Sequence, residues 1–148
     1  MKISNIKEQV FKSESDTDTF NIGRKIGENA KSGEIYALYG KMAMGKTVFS
    51  KGFAKGLCVN ENVNSPTFTI VQEYHGGRLP FYHFDVYRLG SVDELYEIGY
   101  TEYFYADGVC LIEWAELIED VLPEDTIRIH ITAPLIDDFN KREIKISS

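Results

Sequence analysis

The sequence predicts an α/β protein with a P-loop NTPase-like three-layer fold, its central strands parallel and its flanking strands antiparallel. Three observations predict it. Early β-loop-α units imply a sheet with crossover helices. A glycine-rich turn from Gly40 to Thr47 joins the first buried-strand pattern to a helix. Past Pro66 the texture turns β-branched and aromatic, with Gly76-Gly77 placed for a hairpin.

The elements follow in order. Acidic and polar residues from Ser13 to Thr19 lead into a helical pattern whose modest apolar face is Phe20, Ile26 and Ala30, ended by Gly33. Ile35, Ala37 and Leu38 then mark a short buried strand within 34–39. After the glycine-rich turn, a helix is expected from about Lys46 to Leu57. The hairpin arms are 67–74 and 79–84. Ser91-Val92-Asp93-Glu94 is a capping box, in which hydroxyl and carboxylate satisfy amides at the start of a helix running to about Ile98. Residues 109–114 read as another buried strand, with the charge of Glu113 held back to its carboxyl end. A short helix over 116–121 and two late strands, 126–132 and 143–147, complete the pattern. No repeat or linker divides the 148 residues, so one domain spanning 1–148 is expected.

Composition narrows the function classes. At 43% hydrophobic and 26% charged, the chain is globular rather than disordered or fibrous. Sixteen Lys and Arg against 23 Asp and Glu give a net charge of −7, which repels nucleic-acid backbones, so DNA is not an expected partner. Cys58 and Cys110 lie in apolar surroundings and read as buried, inert thiols, and His75, His83 and His130 have no zinc spacing. Met1 to Lys7 lacks an apolar core of signal-peptide length, and no apolar run is long enough to span a bilayer. A cytoplasmic protein without a membrane partner is expected.

The chemistry concentrates at Gly40-Lys41-Met42-Ala43-Met44-Gly45-Lys46-Thr47, which matches G-x-x-x-x-G-K-[ST]. Amides of Gly40, Met42, Ala43, Met44 and Gly45 would curl around a phosphate at the positive end of a helix. Gly40 and Gly45 would allow close approach and positive φ. Lys46 would set an ammonium between β- and γ-phosphates, and the Thr47 hydroxyl would ligate the bridging Mg²⁺. The bland alternative is a strand–turn–helix corner with incidental glycines. Glu113 closes an apolar strand at the sheet edge, where open α/β sheets bind ligands, and could face Mg²⁺ from there. Asp85 ends another strand and could hold a water or act as base. Ser65-Pro66-Thr67 offers a hydroxyl on a proline-stiffened turn, able to touch the γ-phosphate. Each acid, taken alone, could equally be a cap or a surface charge.

Together the segments carry more. The P-loop, then Ser65-Pro66-Thr67-Phe68-Thr69, then His83-Phe84-Asp85-Val86-Tyr87-Arg88-Leu89, then Leu111-Ile112-Glu113-Trp114, resemble the TsaE (YjeE) family. Its members are small bacterial ATPases required for threonylcarbamoyl-adenosine formation in tRNA. The resemblance runs from about Gly33 to Glu116. It implies ATP and Mg²⁺ as cofactors, TsaB and TsaD as partners, and only indirect involvement of tRNA. By family pattern Lys46 binds phosphate, Thr47 and Glu113 hold Mg²⁺, and Asp85 and Thr67 match positions implicated in hydrolysis. Trp114 lies beside the metal carboxylate. The family's loop usually reads G-D-L-G-A-G-K-T, whereas this chain has Lys41, Ala43 and Met44. A Cβ at Ala43 costs about 1 kcal/mol if the position keeps positive φ.

Other readings stay open at this stage. Arg88 is a candidate charge stabiliser or a surface ion-pair partner. No arginine finger is evident near the loop, so turnover by the chain alone should be slow. A small-molecule kinase uses the same loop but needs an arginine-bearing lid, and only Arg128 and Arg142 follow Glu113. A nucleotide-gated adaptor would bind ATP without cleaving it. A GTPase fits less well, because Asn140-Lys141-Arg142-Glu143 only loosely matches N-K-x-D. Tyr96, Tyr100, Tyr103, Phe104 and Tyr105 offer either a partner surface or core packing.

Overall fold

The computed structural model describes residues 8–41, 43–133 and 140–148, and among them seven strands form one sheet. In chain order these are β1 (Gln9–Ser13), β2 (Ile35–Tyr39), β3 (Val71–Tyr74), β4 (Phe81–Asp85), β5 (Val109–Glu113), β6 (Ile127–Thr132) and β7 (Arg142–Ser147). The helices are α1 (Asp16–Glu28), α2 (Lys46–Gly56), α3 (Val92–Glu97) and α4 (Tyr100–Phe104), with a 3₁₀ segment at Ala115–Val121. Sheet order is β1-β7-β6-β2-β5-β4-β3. The four inner strands β6, β2, β5 and β4 run parallel, while β3, β7 and β1 pair antiparallel at the two sides.

Helices cover both faces, which is why β2, β4 and β5 are buried at every position. Strand alternation sorts the side chains. Tyr36, Leu38, Phe81, Val109 and Leu111 join Phe49 and Phe53 of α2 in one core. Ile35, Ala37, Phe84, Cys110 and Ile112 join Leu95, Tyr100 and Phe104 in the other. By the same period, His83, Asp85 and Glu113 continue the row that faces α2.

The α1–α2 contact sets where α2 lies. Ser15 caps α1, its hydroxyl accepting from the Asp18 amide at 3.0 Å. Four glycines then let the backbones touch: a Cβ at Gly52 would lie 2.0 Å from the Phe20 carbonyl oxygen, and one at Gly56 would lie 2.2 Å from that of Arg24. Gly23 and Gly27 answer from α1 against Phe49 and Phe53 backbone.

Several local expectations change. β1 carries no strong sequence signal and exists because β7 offers it an antiparallel partner, Gln9 opposite Ile146. Residues 67–70 form a turn instead of the first half of a strand. The Ile70 amide donates to the Pro66 carbonyl at 2.8 Å, and Ile70 sits at φ 70°, so pairing starts at Val71. Ser91 occupies the N-cap of α3 in extended geometry, but its side chain makes no capping bond. The short helix expected over 116–121 is a 3₁₀ segment that begins one residue earlier, at Ala115. Cys110 is buried, which pushes its thiol pKa up, whereas Cys58 is exposed at φ 64° just past α2. Of the five aromatics, Tyr100 and Phe104 are core, while Tyr96 and Tyr105 are exposed. No helix among the described residues is long and apolar enough to cross a membrane.

The α1–α2 seam yields a stability test. Gly52→Ala should cost about 2–3 kcal/mol by overpacking against fixed backbone and lower the melting midpoint by about 5–10 °C. An unchanged midpoint in a thermal denaturation scan would show that the helices separate freely.

Candidate functional site

Parallel strands present their carboxyl ends at one edge of the sheet, and this is where the chemistry-bearing residues gather. β4 and β5 are in register so that Asp85 lies opposite Glu113. β2, on the other side of β5, runs straight into the glycine-rich loop. Local sequence explains the loop's shape only in part. Positive φ falls at Ala43 (64°) and Gly45 (98°), and not at Gly40 as expected. Gly40 serves close approach instead, since a Cβ there would meet the Ile131 carbonyl oxygen at 3.1 Å. Ala43 does adopt the left-handed conformation that was conditional in the sequence. Gly45 is the N-cap of α2, and its carbonyl accepts the first helical bond from the Phe49 amide at 2.9 Å. The positive end of the α2 dipole therefore opens at the loop.

Lys46 is 7% exposed, and among the described residues its Nζ has no hydrogen-bond partner. The ammonium instead lies 3.3 Å from the centroid of the Trp114 ring, a cation–π contact. Trp114 itself is held at φ 62°, directly after Glu113. Burial holds the Lys46 ammonium below the ordinary lysine pKa, and the negative charges of Glu113, Glu116 and Asp85 offset part of that.

The two carboxylates are held differently. Glu113 is 3% exposed, and its Oε2 accepts from His83 Nε2 at 2.6 Å, with Ser50 Oγ 3.5 Å from the same oxygen. Among the described residues no hydrogen bond engages Oε1. Ser50 also donates to the Lys46 carbonyl at 2.8 Å, tying α2's first turn to the glutamate. Asp85 accepts from the Tyr87 amide through Oδ1 at 3.0 Å and from the Ser65 hydroxyl through Oδ2. Thr67 Oγ1 lies 3.4 Å from Ser65 Oγ. One cavity of about 750 Å³ takes in Ala43 to Thr47, Ser65, Thr67, Asp85, Glu113 and Trp114, and Ser15 and Arg142 also line it.

Of the residues singled out from sequence, Ala43, Met44, Gly45, Lys46, Thr47, Thr67, Asp85 and Glu113 thus line one cavity. Gly40 borders a smaller, more apolar one with Tyr39, Met44 and His130. Met42 lies outside the described residues. Among the described residues Arg88 meets no acid, and it does not line the cavity: its guanidinium carbon lies 4.7 Å from the ring centroid of the exposed Phe68. Two further residues emerge. His83 had an available signal, being two positions before Asp85 and so on the same strand face. Arg142 had none, because 98 residues separate it from Met44, whose carbonyl it meets.

Comparison with known proteins agrees with this architecture. The family model described as "Threonylcarbamoyl adenosine biosynthesis protein TsaE" matches residues 13–144. A Bacillus subtilis protein named tRNA threonylcarbamoyladenosine biosynthesis protein TsaE is 45% identical over 126 residues, 85% of this chain and 78% of that one. A Treponema pallidum protein of the same name is 44% identical over 135 residues, 91% and 97% of the two chains. The crystal structure of YdiB from Bacillus subtilis superposes with a TM-score of 0.78 at 40% identity, covering 95% of this chain and 84% of the other. The same three-layer sheet, matched over nearly its whole length by relatives of one name, places this chain in the TsaE family of tRNA threonylcarbamoyladenosine biosynthesis proteins.

Proposed function

We propose that this protein binds ATP with Mg²⁺ at the P-loop and hydrolyses it, as the ATPase component of N6-threonylcarbamoyladenosine formation in tRNA. It acts in the cytoplasm with TsaB- and TsaD-type partners, and tRNA is involved through them. One observation carries the nucleotide reading: among the described residues the buried Lys46 ammonium has no hydrogen-bond acceptor. A desolvated cation is costly unless paired. A phosphate entering at the amino end of α2 would supply the missing acceptor.

The donor set suits a hard cation. Thr47 hydroxyl and Glu113 carboxylate are oxygen ligands of the kind Mg²⁺ takes, few enough to leave room for phosphate oxygens and waters. Held there, Mg²⁺ would supply positive charge against the phosphate oxygens. His83 occupies Oε2 of Glu113, so Oε1 remains for the metal.

Lys46 and the loop amides stabilise charge that grows on the γ-phosphoryl oxygens. Asp85, fixed by the Tyr87 amide and the Ser65 hydroxyl, holds the attacking water together with the Thr67 hydroxyl. Arg142, the arginine on the cavity wall, is engaged with loop carbonyls and does not act as a finger. Turnover by the isolated chain is therefore slow, and a partner completes the site.

Three outcomes test this reading. Lys46→Met should abolish ATP hydrolysis while raising the free protein's stability by about 1–2 kcal/mol, because an unpaired buried charge gives way to an apolar chain. Loss of stability in chemical denaturation would contradict the account of Lys46. Asp85→Asn should keep ADP affinity within about threefold but slow single-turnover hydrolysis by about 10²-fold or more. Adding TsaB- and TsaD-type partners should raise the steady-state ATPase rate. ATP left intact in the assembled, modifying complex would favour an adaptor that only binds nucleotide.

A further inference from the structure

Arg142 is the first residue of β7, yet its guanidinium works on the P-loop. Nε donates to the Met44 carbonyl and an Nη2 proton to the Ala43 carbonyl, each at 3.3 Å, while Nη1 donates to the Lys141 carbonyl at 2.8 Å. The base of this arm is rigid. Arg142 pairs with Ser13 of β1, and the next residue, Glu143, pairs with Thr132 of β6.

The consequence follows from the peptide bond. A trans peptide is planar, and its C=O points opposite to the N–H of the following residue. No cis peptide occurs among the described residues. Turning the Ala43 and Met44 carbonyls toward Arg142 therefore turns the Met44 and Gly45 amides away from the guanidinium. Ala43 needs the help most, being a residue with a Cβ held at φ 64°. A guanidinium can span two acceptors in a fixed fork, whereas an ammonium serves one such direction at a time.

We propose that Arg142 is a positioning residue for phosphate recognition: it clamps two P-loop carbonyls so that the Met44 and Gly45 amides face the phosphates before nucleotide arrives. This rests on the P-loop reading above. Arg142 itself touches no phosphate in this role.

The test uses the full chain and ADP, with affinity from titration calorimetry at a temperature well below unfolding. Arg142→Ala should weaken ADP binding about tenfold, the scale set by losing two charge-assisted hydrogen bonds at a partly exposed site. Arg142→Lys should recover only part of that. The ADP-induced shifts of the Met44 and Gly45 amide resonances should shrink in Arg142→Ala even at saturation, a change that mere loss of fold stability would not produce. Wild-type affinity and amide shifts in Arg142→Ala, with Lys46→Ala still defective, would overturn the clamp alone. Failure of the wild-type chain to bind ADP would overturn the P-loop reading and the clamp with it. Should Arg142→Ala not fold, Arg142→Lys decides, and unchanged affinity there overturns the proposal.

Discussion

Everything at the site depends on parallel pairing of β2, β5 and β4. Parallel strands end on the same side, and their register places the last residue of β4 opposite the last residue of β5. That pairing sets Asp85 beside Glu113 and delivers the P-loop next to both. Two buried acids and a buried lysine are thereby gathered at one edge of the sheet. In water their arrangement would be weakly determined. Here Lys46, Asp85 and Glu113 are buried, so each contact carries more energy.

α2 has two tasks, and the glycine seam with α1 reconciles them. Its apolar residues Phe49 and Phe53 fill the core, while its first turn must reach the carboxylate edge. Close backbone approach through Gly52 and Gly56 fixes the helix laterally, so Lys46 and Thr47 fall where the cavity needs them. The fold then tolerates features that oppose stability: an ammonium without an acceptor among the described residues, and left-handed backbone at Ala43 and Trp114. Such strain persists only where the surrounding structure over-determines it. The Trp114 ring under the ammonium and the Arg142 fork on the loop carbonyls are two visible parts of that support.

At position 43 an alanine holds the left-handed backbone that a glycine would favour. Side chains from other elements hold the conformation that the residue itself disfavours. This makes the loop less self-sufficient than its sequence pattern suggests and ties it to the antiparallel strands at the far side of the sheet.

The sequence by itself determined the fold class, the buried parallel strands, the P-loop and the acids that close β4 and β5. Those signals are local: a period of two, a glycine spacing, a charge at the end of an apolar run. Residues 67–70 misled for the same reason, since their β-branched composition is local while the Pro66–Ile70 bond that curls them is a matter of backbone path. Tertiary structure alone decided that β1 pairs with β7, that Ser65 rather than Thr67 bonds Asp85, and that Arg142 reaches the loop. His83 lay between the two cases, its strand face readable but its partner Glu113 not. Which surfaces meet is settled by burial summed over segments as much as 99 residues apart, and no window of sequence contains that sum.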